Sequence, residues 1–545
     1  MNKWVEKPSA SPMDWALKHF LLSKSGLQGR DQVFFESVLM ELQQAINRGD
    51  SCITLSTSDQ VVLQSCLWLS GEQKGPLVIE GNKLYIYRYW QYEKSLTDKI
   101  RSYTAYKRDS VFLSELLSRY FPTENKEVLK QRELIGQVLQ QSFSIISGGP
   151  GTGKTTLVVK LLAIELELAD LPMKIALVAP TGKAAIRLQY AINENKDALP
   201  CDERIKSAIP QEVMTIHRLL GVRYGSSLFI HNKDNPLDYD LLLIDESSMI
   251  DLAMMTKLLT ALSAQTRVIL VGDKDQLSSV ETGSVLADLS ASSGIKTYEL
   301  LKTYRFNTQI KTLARLINQQ EASAAWDFLT EPTYEAVNCV SVDYMDLMMD
   351  KYHRLFRAID EKETVSQLFE KLTDFVVLCT NRRGPKSVEA INQGIEWRLG
   401  DNNLIPQKEE WYIGRPVLIY ENDAVLGVFN GDVGICLPDP EQNNQLMVFF
   451  EQFNGNIKKI IPSRMPKCQT AFALTVHKSQ GSQYKEVMLI MPDEHNPVLT
   501  KEVIYTAVTR ARDYVWVVAD KDIFTQAVKV KISRQGGLKE KLLTD

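Results

Sequence analysis

A glycine-rich run at residues 147–156 constrains this chain more than any other segment of its sequence. Residues 148–155 fit the phosphate-loop pattern G-x-x-x-x-G-K-[ST]. Apolar residues predict a buried strand over 143–146 before the run and a helix over 156–162 after it. Glycines at such a turn let successive backbone N–H groups face phosphate oxygens at a helix N-terminus. We therefore predict that the chain binds a nucleoside triphosphate through Gly148, Gly149, Pro150, Gly151, Thr152, Gly153, Lys154, Thr155 and Thr156.

Two carboxylates end a second apolar stretch downstream of this loop. Residues 241–244 are Leu-Leu-Leu-Ile, and Asp245 and Glu246 follow them. An open α/β sheet binds its ligands at the carboxyl ends of its strands. Asp245 is therefore placed to hold Mg²⁺ through water, with the Thr155 hydroxyl as a direct ligand, and Glu246 to activate the attacking water. Lys154 would reach the β- and γ-phosphates. Acidic residues after a strand also serve as turn formers and helix caps, but the phosphate loop upstream favours the catalytic interpretation.

Further candidates follow strands elsewhere in the chain. The strand predicted over 267–271 runs into a Gly-Asp turn, which places Gln276 to sense the γ-phosphate. A second set of β–α units begins near residue 375 and has no phosphate loop of its own. Two α/β layers with one nucleotide loop suggest ATP held in a cleft between them, with Arg510 and Arg305 reaching the γ-phosphate from the far layer. Most surface arginines are only solvated, so this prediction depends on the ordered set of motifs.

Composition limits the class of protein and its compartment. A chain of 545 residues predicts three or four domains. The formal net charge of −4 gives no global signal for nucleic acid, so any such binding must come from a local groove. The seven cysteines are scattered without a C-x-x-C pair, which argues against zinc, an iron–sulfur cluster or a disulfide framework. With no apolar run of membrane-spanning length and no signal peptide at the N-terminus, we expect a cytoplasmic protein.

Taken in order, the motifs resemble those of the superfamily 1 helicases and, more closely, those of the RecD family, the alpha subunit of exodeoxyribonuclease V. The matching segments are residues 148–155, 179–185, 245–249, 272–277, 304–306, 476–482 and 505–512, with an Asn-Gly-Asp turn at 430–432. The resemblance implies an α/β fold with two RecA-like parallel-sheet motor domains, a mainly helical N-terminal domain and a small SH3-like β-barrel insert. The expected boundaries are 1–120 for a partner-docking domain, 121–355 and 356–545 for the two motor domains, and about 405–465 for the insert.

The same resemblance implies an activity and further site residues. It implies a 5′-to-3′ helicase that uses ATP and Mg²⁺, acts on single-stranded and double-stranded DNA ends, and assembles with RecB-like and RecC-like subunits. It assigns Gln131 to the adenine and a single-strand track to Thr181, Thr215, His217, Thr475 and His477. Two alternatives stay open on the residues alone. One is a free-standing superfamily 1 helicase acting on DNA or RNA, and the other is a non-motor ATPase that switches an interaction surface.

The two ends of the chain carry no motif of this kind. Apolar periodicity predicts a helix over 33–42 that stops at Gly49-Asp50, and the pair Gly81-Asn82 predicts a hairpin between strands 76–80 and 83–87. The N-terminal region has no repeated helix-hairpin-helix motif and no basic stripe, so we expect it to bind a partner subunit and not DNA. The mildly basic segment 529–538 is expected to be a surface extension.

Overall fold

The computed structural model describes residues 12–64, 75–103, 110–122, 125–169, 172–223, 225–226, 228–300, 307–340, 343–407, 409–423, 425–452 and 456–543. In these ranges the chain is α/β, with two parallel sheets, a helical N-terminal region and an inserted antiparallel sheet. None of the helices in the described ranges is both long and apolar enough to cross a membrane.

The N-terminal region combines helices with a small antiparallel sheet. Its helices are α1 (Pro12–Lys24), α2 (Gly29–Asn47), α3 (Thr57–Gln64) and α4 (Tyr87–Arg101), and its strands are β1 (Cys52–Thr54), β2 (Leu77–Glu80) and β3 (Lys83–Ile86). The predicted hairpin is confirmed, because β2 and β3 pair across residues 81–82 in the sheet order β1-β3-β2. The predicted helix lies within α2, whose Phe35, Leu39 and Leu42 pack with Leu84 in a core of their own.

The first α/β domain is built on a six-stranded parallel sheet in the order β6-β5-β7-β8-β4-β9. The strands are β4 (Phe143–Gly148), β5 (Ile175–Ala179), β6 (Met214–Thr215), β7 (Leu241–Ile244), β8 (Arg267–Gly272) and β9 (Thr297–Leu300). The helices are α5 (Ser110–Tyr120), α6 (Lys126–Val138), α7 (Lys154–Leu168), α8 (Gly182–Lys196), α9 (Glu203–Ala208), α10 (Ile216–Leu220), α11 (Leu252–Thr260) and α12 (Val285–Ser290), with a 3₁₀ turn at Ser247–Met249. The inner strands are buried on both faces, as parallel strands covered by helices must be.

The second α/β domain contains the antiparallel insert between its strands. Along the chain they are β10 (Val337–Cys339) and β11 (Phe375–Cys379), then β12 (Pro416–Ile419), β13 (Val433–Asp439), β14 (Gln445–Glu451), β15 (Ile457–Ile460) and β16 (Cys468–Thr470), then β17 (Ala473–Thr475), β18 (Tyr484–Ile490) and β19 (Ala511–Val518). The parallel sheet has the order β10-β19-β18-β11-β17, and the insert has the order β15-β14-β13-β12-β16. The helices are α13 (Thr308–Asn318), α14 (Ala322–Thr330), α15 (Tyr344–Asp360), α16 (Val365–Asp374), α17 (Val388–Asp401), α18 (Lys501–Val508), α19 (Lys521–Lys529) and, after the sheet, α20 (Leu538–Leu543).

The packing puts the domain boundaries elsewhere than at 120, 355 and 405–465. Helix α13 buries Ile310, Leu313 and Ile317 in the core of the second sheet, and β10 pairs with β19. The second domain therefore already includes residue 308, well before 356. Helix α5 packs into the core of the first domain, and α4 packs on α11, so the first domain extends N-terminal of 121. The insert sheet extends to Thr470 because β16 pairs with β12.

The C-terminal segment is not the surface extension that its sequence predicts. We call residues 530–543 the C-terminal strap, because they run from the second domain back across the first. Val530 accepts a backbone hydrogen bond from Lys501 N (2.8 Å) in the second domain. The Arg534 guanidinium then donates to the carbonyl oxygens of Ser279 (2.6 Å), Glu281 (2.8 Å) and Gly283 (2.9 Å) in the first.

The strap ends against the N-terminal region and α4. Gln535 N donates to Asp50 Oδ1 (2.7 Å), and Gly537 N donates to Glu93 Oε1 (3.0 Å) on α4. The Leu538 side chain is buried in the core of the first domain. The strap therefore ties all three parts of the fold together through contacts between residues far apart in sequence.

Candidate active site

The phosphate loop joins β4 to α7, and its conformation explains its glycines. Gly151 and Gly153 have positive φ values of 72° and 81°, which residues with a β-carbon rarely adopt. Gly153 is the N-cap of α7, so the helix begins at Lys154 directly after the loop. The Thr152 hydroxyl donates to the Gly149 carbonyl (2.8 Å) and braces the turn from inside. The loop thus presents backbone N–H groups at a helix N-terminus, an arrangement that binds anions.

Lys154 lies over this loop. Its ammonium donates to the carbonyl oxygens of Gly148 and Gly149, the latter at 2.9 Å. Burial lowers the pKa of Lys154, and the nearby carboxylates of Asp273, Glu246 and Asp245 oppose that change. The one lysine of the loop therefore has three carboxylates near it, at the place where an anionic ligand would sit.

The two carboxylates predicted from the sequence stand at the end of β7. The Glu246 N–H donates to Asp245 Oδ1 at 2.9 Å. Burial, reinforced by the Glu246 carboxylate, raises the pKa of Asp245 to about 6. Glu246 itself has a φ of 49°, uncommon for a residue with a side chain and typical of strained functional positions. Its Oε1 lies 3.7 Å from Nη1 of Arg187, a residue of α8.

Gln276 and Arg510 meet from opposite domains. Arg510 follows α18 and is 1% exposed. Its guanidinium donates to the carbonyl oxygens of Ser482 (3.1 Å) and Thr506 (3.3 Å) and to the side-chain oxygen of Gln276. Burial lowers the pKa of Arg510, and the nearby Glu246 carboxylate opposes part of that change. The predicted sensor residue and the predicted arginine are therefore in direct contact across the two sheets.

One cleft gathers most of the predicted catalytic residues. It is lined by Pro150, Gly151, Gly153, Lys154, Thr155, Thr156, Arg187, Asp245, Glu246, Gln276 and Arg510. Arg305 lies outside the described residues. Gln131 lies on α6 and is not among the residues that line this cleft.

Each threonine predicted for the single-strand track accepts a local backbone hydrogen bond, and Thr181 and Thr215 are the N-caps of α8 and α10. Thr181 accepts a hydrogen bond from Ala184 N (3.2 Å), Thr215 from Arg218 N (3.3 Å) and Thr475 from Lys478 N (3.3 Å). Each follows or ends a strand, β5, β6 or β17, at its carboxyl end. These local hydrogen bonds alone account for a hydroxyl residue at the three positions, so a role in DNA binding needs its own test.

The two histidines of that predicted track differ in surroundings. The His217 ring stands edge-on to Phe229, with centroids 5.8 Å apart. His477 is half-buried, and burial together with the neighbouring Arg534 and Lys478 lowers its pKa. A neutral His477 at physiological pH can donate or accept a hydrogen bond but adds no positive charge.

Sequence reasoning missed three residues of the site. Arg187 lines the cleft beside Glu246, and only its position on the helix after residues 179–182 could have indicated it. Asp273 is buried under Gln276, whose Nε2 donates to its Oδ2 at 3.0 Å. Burial raises the pKa of Asp273. Tyr505, from the second domain, contacts the same carboxylate. Asp273 and Tyr505 stand within motifs that the sequence displays, but their partners are visible only in the fold.

Two parallel sheets that share one phosphate loop, with residues of both lining the same cleft, define a two-domain motor ATPase. Residues 131–282 match the family model of an AAA domain, and residues 470–518 match that of a UvrD-like helicase C-terminal domain. The chain is 36% identical over 526 residues to the RecBCD enzyme subunit RecD of Mycolicibacterium smegmatis, covering 92% of both proteins. The chain belongs to the RecD family.

Other relatives share less of their length or sequence. The RecBCD enzyme subunit RecD of Haemophilus influenzae is 33% identical, with 87% of this chain and 82% of that protein covered. The ATP-dependent RecD2 DNA helicase of Deinococcus radiodurans is 30% identical over 388 residues, which cover 70% of this chain and 48% of that protein. Among solved structures, Bacteroides Pif1 bound to ssDNA aligns with a TM-score of 0.43 at 17% identity, covering 73% of this chain and 94% of that one.

Proposed function

We propose that this chain is the 5′-to-3′ motor of a complex with RecB-like and RecC-like subunits, hydrolysing ATP with Mg²⁺ as it moves along single-stranded DNA from a DNA end. As a member of the RecD family it is an ATP-dependent DNA helicase. The observation that carries the proposal is the contact between Arg510 and Gln276. Because Arg510 belongs to the second domain and Lys154 to the first, the rate of hydrolysis depends on the relative position of the two domains.

In this proposal each residue of the cleft has one task. Lys154 and the N–H groups of the loop bind the β- and γ-phosphates. Glu246 accepts the proton of the attacking water, and Gln276 contacts the γ-phosphate. Arg510 stabilises the negative charge that develops in the transition state, which a buried, preorganised cation does far better than a solvated one. Arg305 has the same proposed task, and Gln131 would contact the adenine.

The donor set fits Mg²⁺. The Thr155 hydroxyl and the Asp245 carboxylate line the same cleft and are hard oxygen ligands. Within the described residues no three His, Cys, Asp or Glu side chains form a metal cluster, which agrees with an ion that takes one or two protein ligands together with phosphate oxygens and water. A bound Mg²⁺ would neutralise phosphate charge and lower the pKa of Asp245 from its raised value.

Support for a DNA track comes from the place where the two domains meet. A β-carbon added to Gly481 would lie 3.7 Å from Thr181 Oγ1, so the segment that follows His477 in the second domain lies close to Thr181 of the first. The Lys478 ammonium, next to His477, donates to Asn430 Oδ1 of the insert at 2.6 Å. We propose that the insert is an SH3-like barrel and that the strand runs over Thr181, Thr215 and His217 and on to Thr475 and His477, held through its backbone and by stacking.

The test is DNA-stimulated ATPase of the purified chain, followed by unwinding of duplexes with a 5′ or a 3′ overhang. Stimulation by single-stranded DNA and unwinding from the 5′ overhang are expected. His477→Ala should raise the DNA concentration that gives half-maximal stimulation. Unwinding of RNA, or activity indifferent to partner subunits, would favour a free-standing helicase. ATPase that DNA does not stimulate would favour a nucleotide switch.

A further inference from the structure

Tyr505 joins the second domain to the phosphate loop of the first. It lies on α18 and is buried. Its hydroxyl donates to Asp273 Oδ2 at 3.2 Å, across the boundary between the sheets. Burial raises the pKa of Tyr505 well above its ordinary value, so the hydroxyl keeps its proton at any physiological pH. Tyr505 can therefore always act as a donor to Asp273.

Gly149 of the loop makes room for this hydroxyl. A β-carbon built on Gly149 would lie 3.0 Å from the Tyr505 oxygen and 3.9 Å from Asp273 Oδ2. Unlike Gly151 and Gly153, Gly149 does not have a positive φ. Backbone conformation thus gives no reason for glycine at this position, whereas the approach of the Tyr505 hydroxyl does.

The Asp273 carboxylate fixes the orientation of Gln276. Its Oδ2 accepts from both Tyr505 and the Gln276 Nε2, the latter at 3.0 Å. With its nitrogen turned to Asp273, the Gln276 amide presents its oxygen to Arg510, which donates to it. A flipped amide would set its NH₂ group against the guanidinium, two donors without an acceptor. The carboxylate therefore selects the amide orientation that Arg510 can use.

The neighbouring residues hold the same turn from the second domain. The backbone N–H of Leu277 donates to Thr506 Oγ1 at 2.9 Å, and the Leu277 carbonyl accepts from Gln480 Nε2 at 2.8 Å. Both ends of the turn at residues 273–277 are thus hydrogen-bonded to the second domain. Of the residues that make these bonds, Tyr505 lies nearest the phosphate loop.

From this geometry we infer that Tyr505 is a positioning residue: through Asp273 it sets the Gln276 amide for Arg510, and it transmits closure of the second domain to Gly149 of the phosphate loop. The inference rests on the proposed function, because it assigns Tyr505 to the coupling of the same ATP site. It predicts a defect in turnover and not in nucleotide binding.

Tyr505→Phe removes the donor and keeps the ring. We expect kcat of the DNA-stimulated ATPase to fall by about 10-fold or more, the effect of losing a hydrogen bond to a charged group. KM for ATP should stay within about 2-fold of wild type, and the melting temperature should be nearly unchanged. The matched control is Tyr514→Phe, at a tyrosine of β19 that is 40% exposed, and it should behave as wild type.

A second variant separates positioning from packing. Gly149→Ala should lower kcat in the wild-type background, because its methyl group displaces the Tyr505 hydroxyl. In the Tyr505→Phe background the same substitution should cost much less, since no hydroxyl is left to displace. Wild-type kcat in Tyr505→Phe, or additive losses in the double variant, would overturn the inference while leaving the ATP site intact. A wild-type chain without DNA-stimulated ATPase would instead overturn the proposed function and, with it, the coupling role of Tyr505.

Discussion

The guanidinium of Arg510 donates a hydrogen bond to the side-chain oxygen of Gln276, and this contact crosses from one parallel sheet to the other. Both side chains are buried, at 1% and 4% exposure. Gln276, the proposed sensor of the first domain, and Arg510 of the second are therefore packed as a single unit beside the phosphate loop. Any separation of the two domains must break this hydrogen bond, which is how a conformational change can control chemistry in the cleft.

Replacement of Arg510 should abolish turnover and spare nucleotide binding. In Arg510→Ala we expect kcat for ATP to fall by about 100-fold or more, because a cation that acts on the transition state is lost. The affinity for an ATP analogue, measured by fluorescence titration, should change far less. Arg510→Lys keeps the charge but loses the donors to Ser482 and Thr506, so it should recover part of the rate. Equal losses of affinity and turnover in both variants would mean uniform binding or a structural arginine.

Replacement of Lys154 should abolish ATPase activity and leave the stability of the protein unchanged. Lys154→Ala takes away the loop's only side-chain cation, and its ammonium contacts loop carbonyls and not the apolar cores. ATPase should fall by at least about two orders of magnitude, with the melting temperature nearly unchanged. Steady-state ATPase and differential scanning calorimetry on the same preparation are the measurements. Near-normal turnover in a folded variant would exclude this loop from catalysis.

The parts of the site that sequence predicts are those encoded locally. The turn from Gly148 to Lys154 and the pair Asp245 and Glu246 each lie within a few residues of the strand that positions them, so residue order alone places them together. Apolar runs likewise predicted β4, β7 and β8, and the start of the second set of strands at β11. Parallel strands fix where their carboxyl ends lie, and this brings separate motifs to one edge of a sheet.

Contacts between distant segments could not be predicted in this way. The hydrogen bond from Gln535 N to Asp50 joins residues 485 apart in sequence, and nothing in either segment indicates the other. Helix α13 has an apolar face, but periodicity does not say which sheet covers it, and so the domain boundary was expected near 356. Arg187 and Tyr505 depend on the same kind of long-range packing.

A pH-dependent stability is expected where the C-terminal strap crosses α12. Burial, with a smaller contribution from the Glu93 carboxylate, raises the pKa of Asp288 to about 7, although Lys539 and Lys83 oppose the rise. The pKa of an aspartate in an unfolded chain is about 3.9. Between these values the folded protein keeps a proton that the unfolded chain releases. Asp288 therefore lowers the free energy of unfolding progressively as the pH rises from about 4 to about 7, and not beyond.

The variant Asp288→Asn cannot ionise and should escape this loss. We expect it to be more stable than wild type by about 1–3 kcal/mol at pH 8 and about equal at pH 4. Urea unfolding at the two pH values measures the difference. Asp234→Asn, at an exposed position, is the control and should show no such pH dependence. A stability difference for Asp288→Asn that is the same at both pH values would contradict the account.

We expect the N-terminal region to dock a partner subunit. The structure shows which residues a deletion variant can lose without damage to the first domain. Helix α4 buries Leu96 and Ile100 against Leu258 and Leu259 of the first domain. A deletion of residues 1–110 would strip this helix from the core and expose apolar surface. The deletion should therefore end at residue 86, before α4. It then removes the separate core that α2 and β3 form as a unit.

The shortened chain without residues 1–86 should retain DNA-stimulated ATPase and lose its partners. Apolar side chains stand exposed on α1 and α2, including Phe20 (56%), Val33 (69%) and Met40 (46%), and surfaces of this kind bind other proteins more readily than they bind phosphate backbones. The measurement is co-purification with RecB-like and RecC-like subunits from its own cell. The control is Asp59→Asn in the full chain, which should co-purify with them as the wild type does. Assembly of the shortened chain with those subunits would contradict docking. Salt-dependent binding of single-stranded DNA by the excised region would make that region a nucleic-acid module instead.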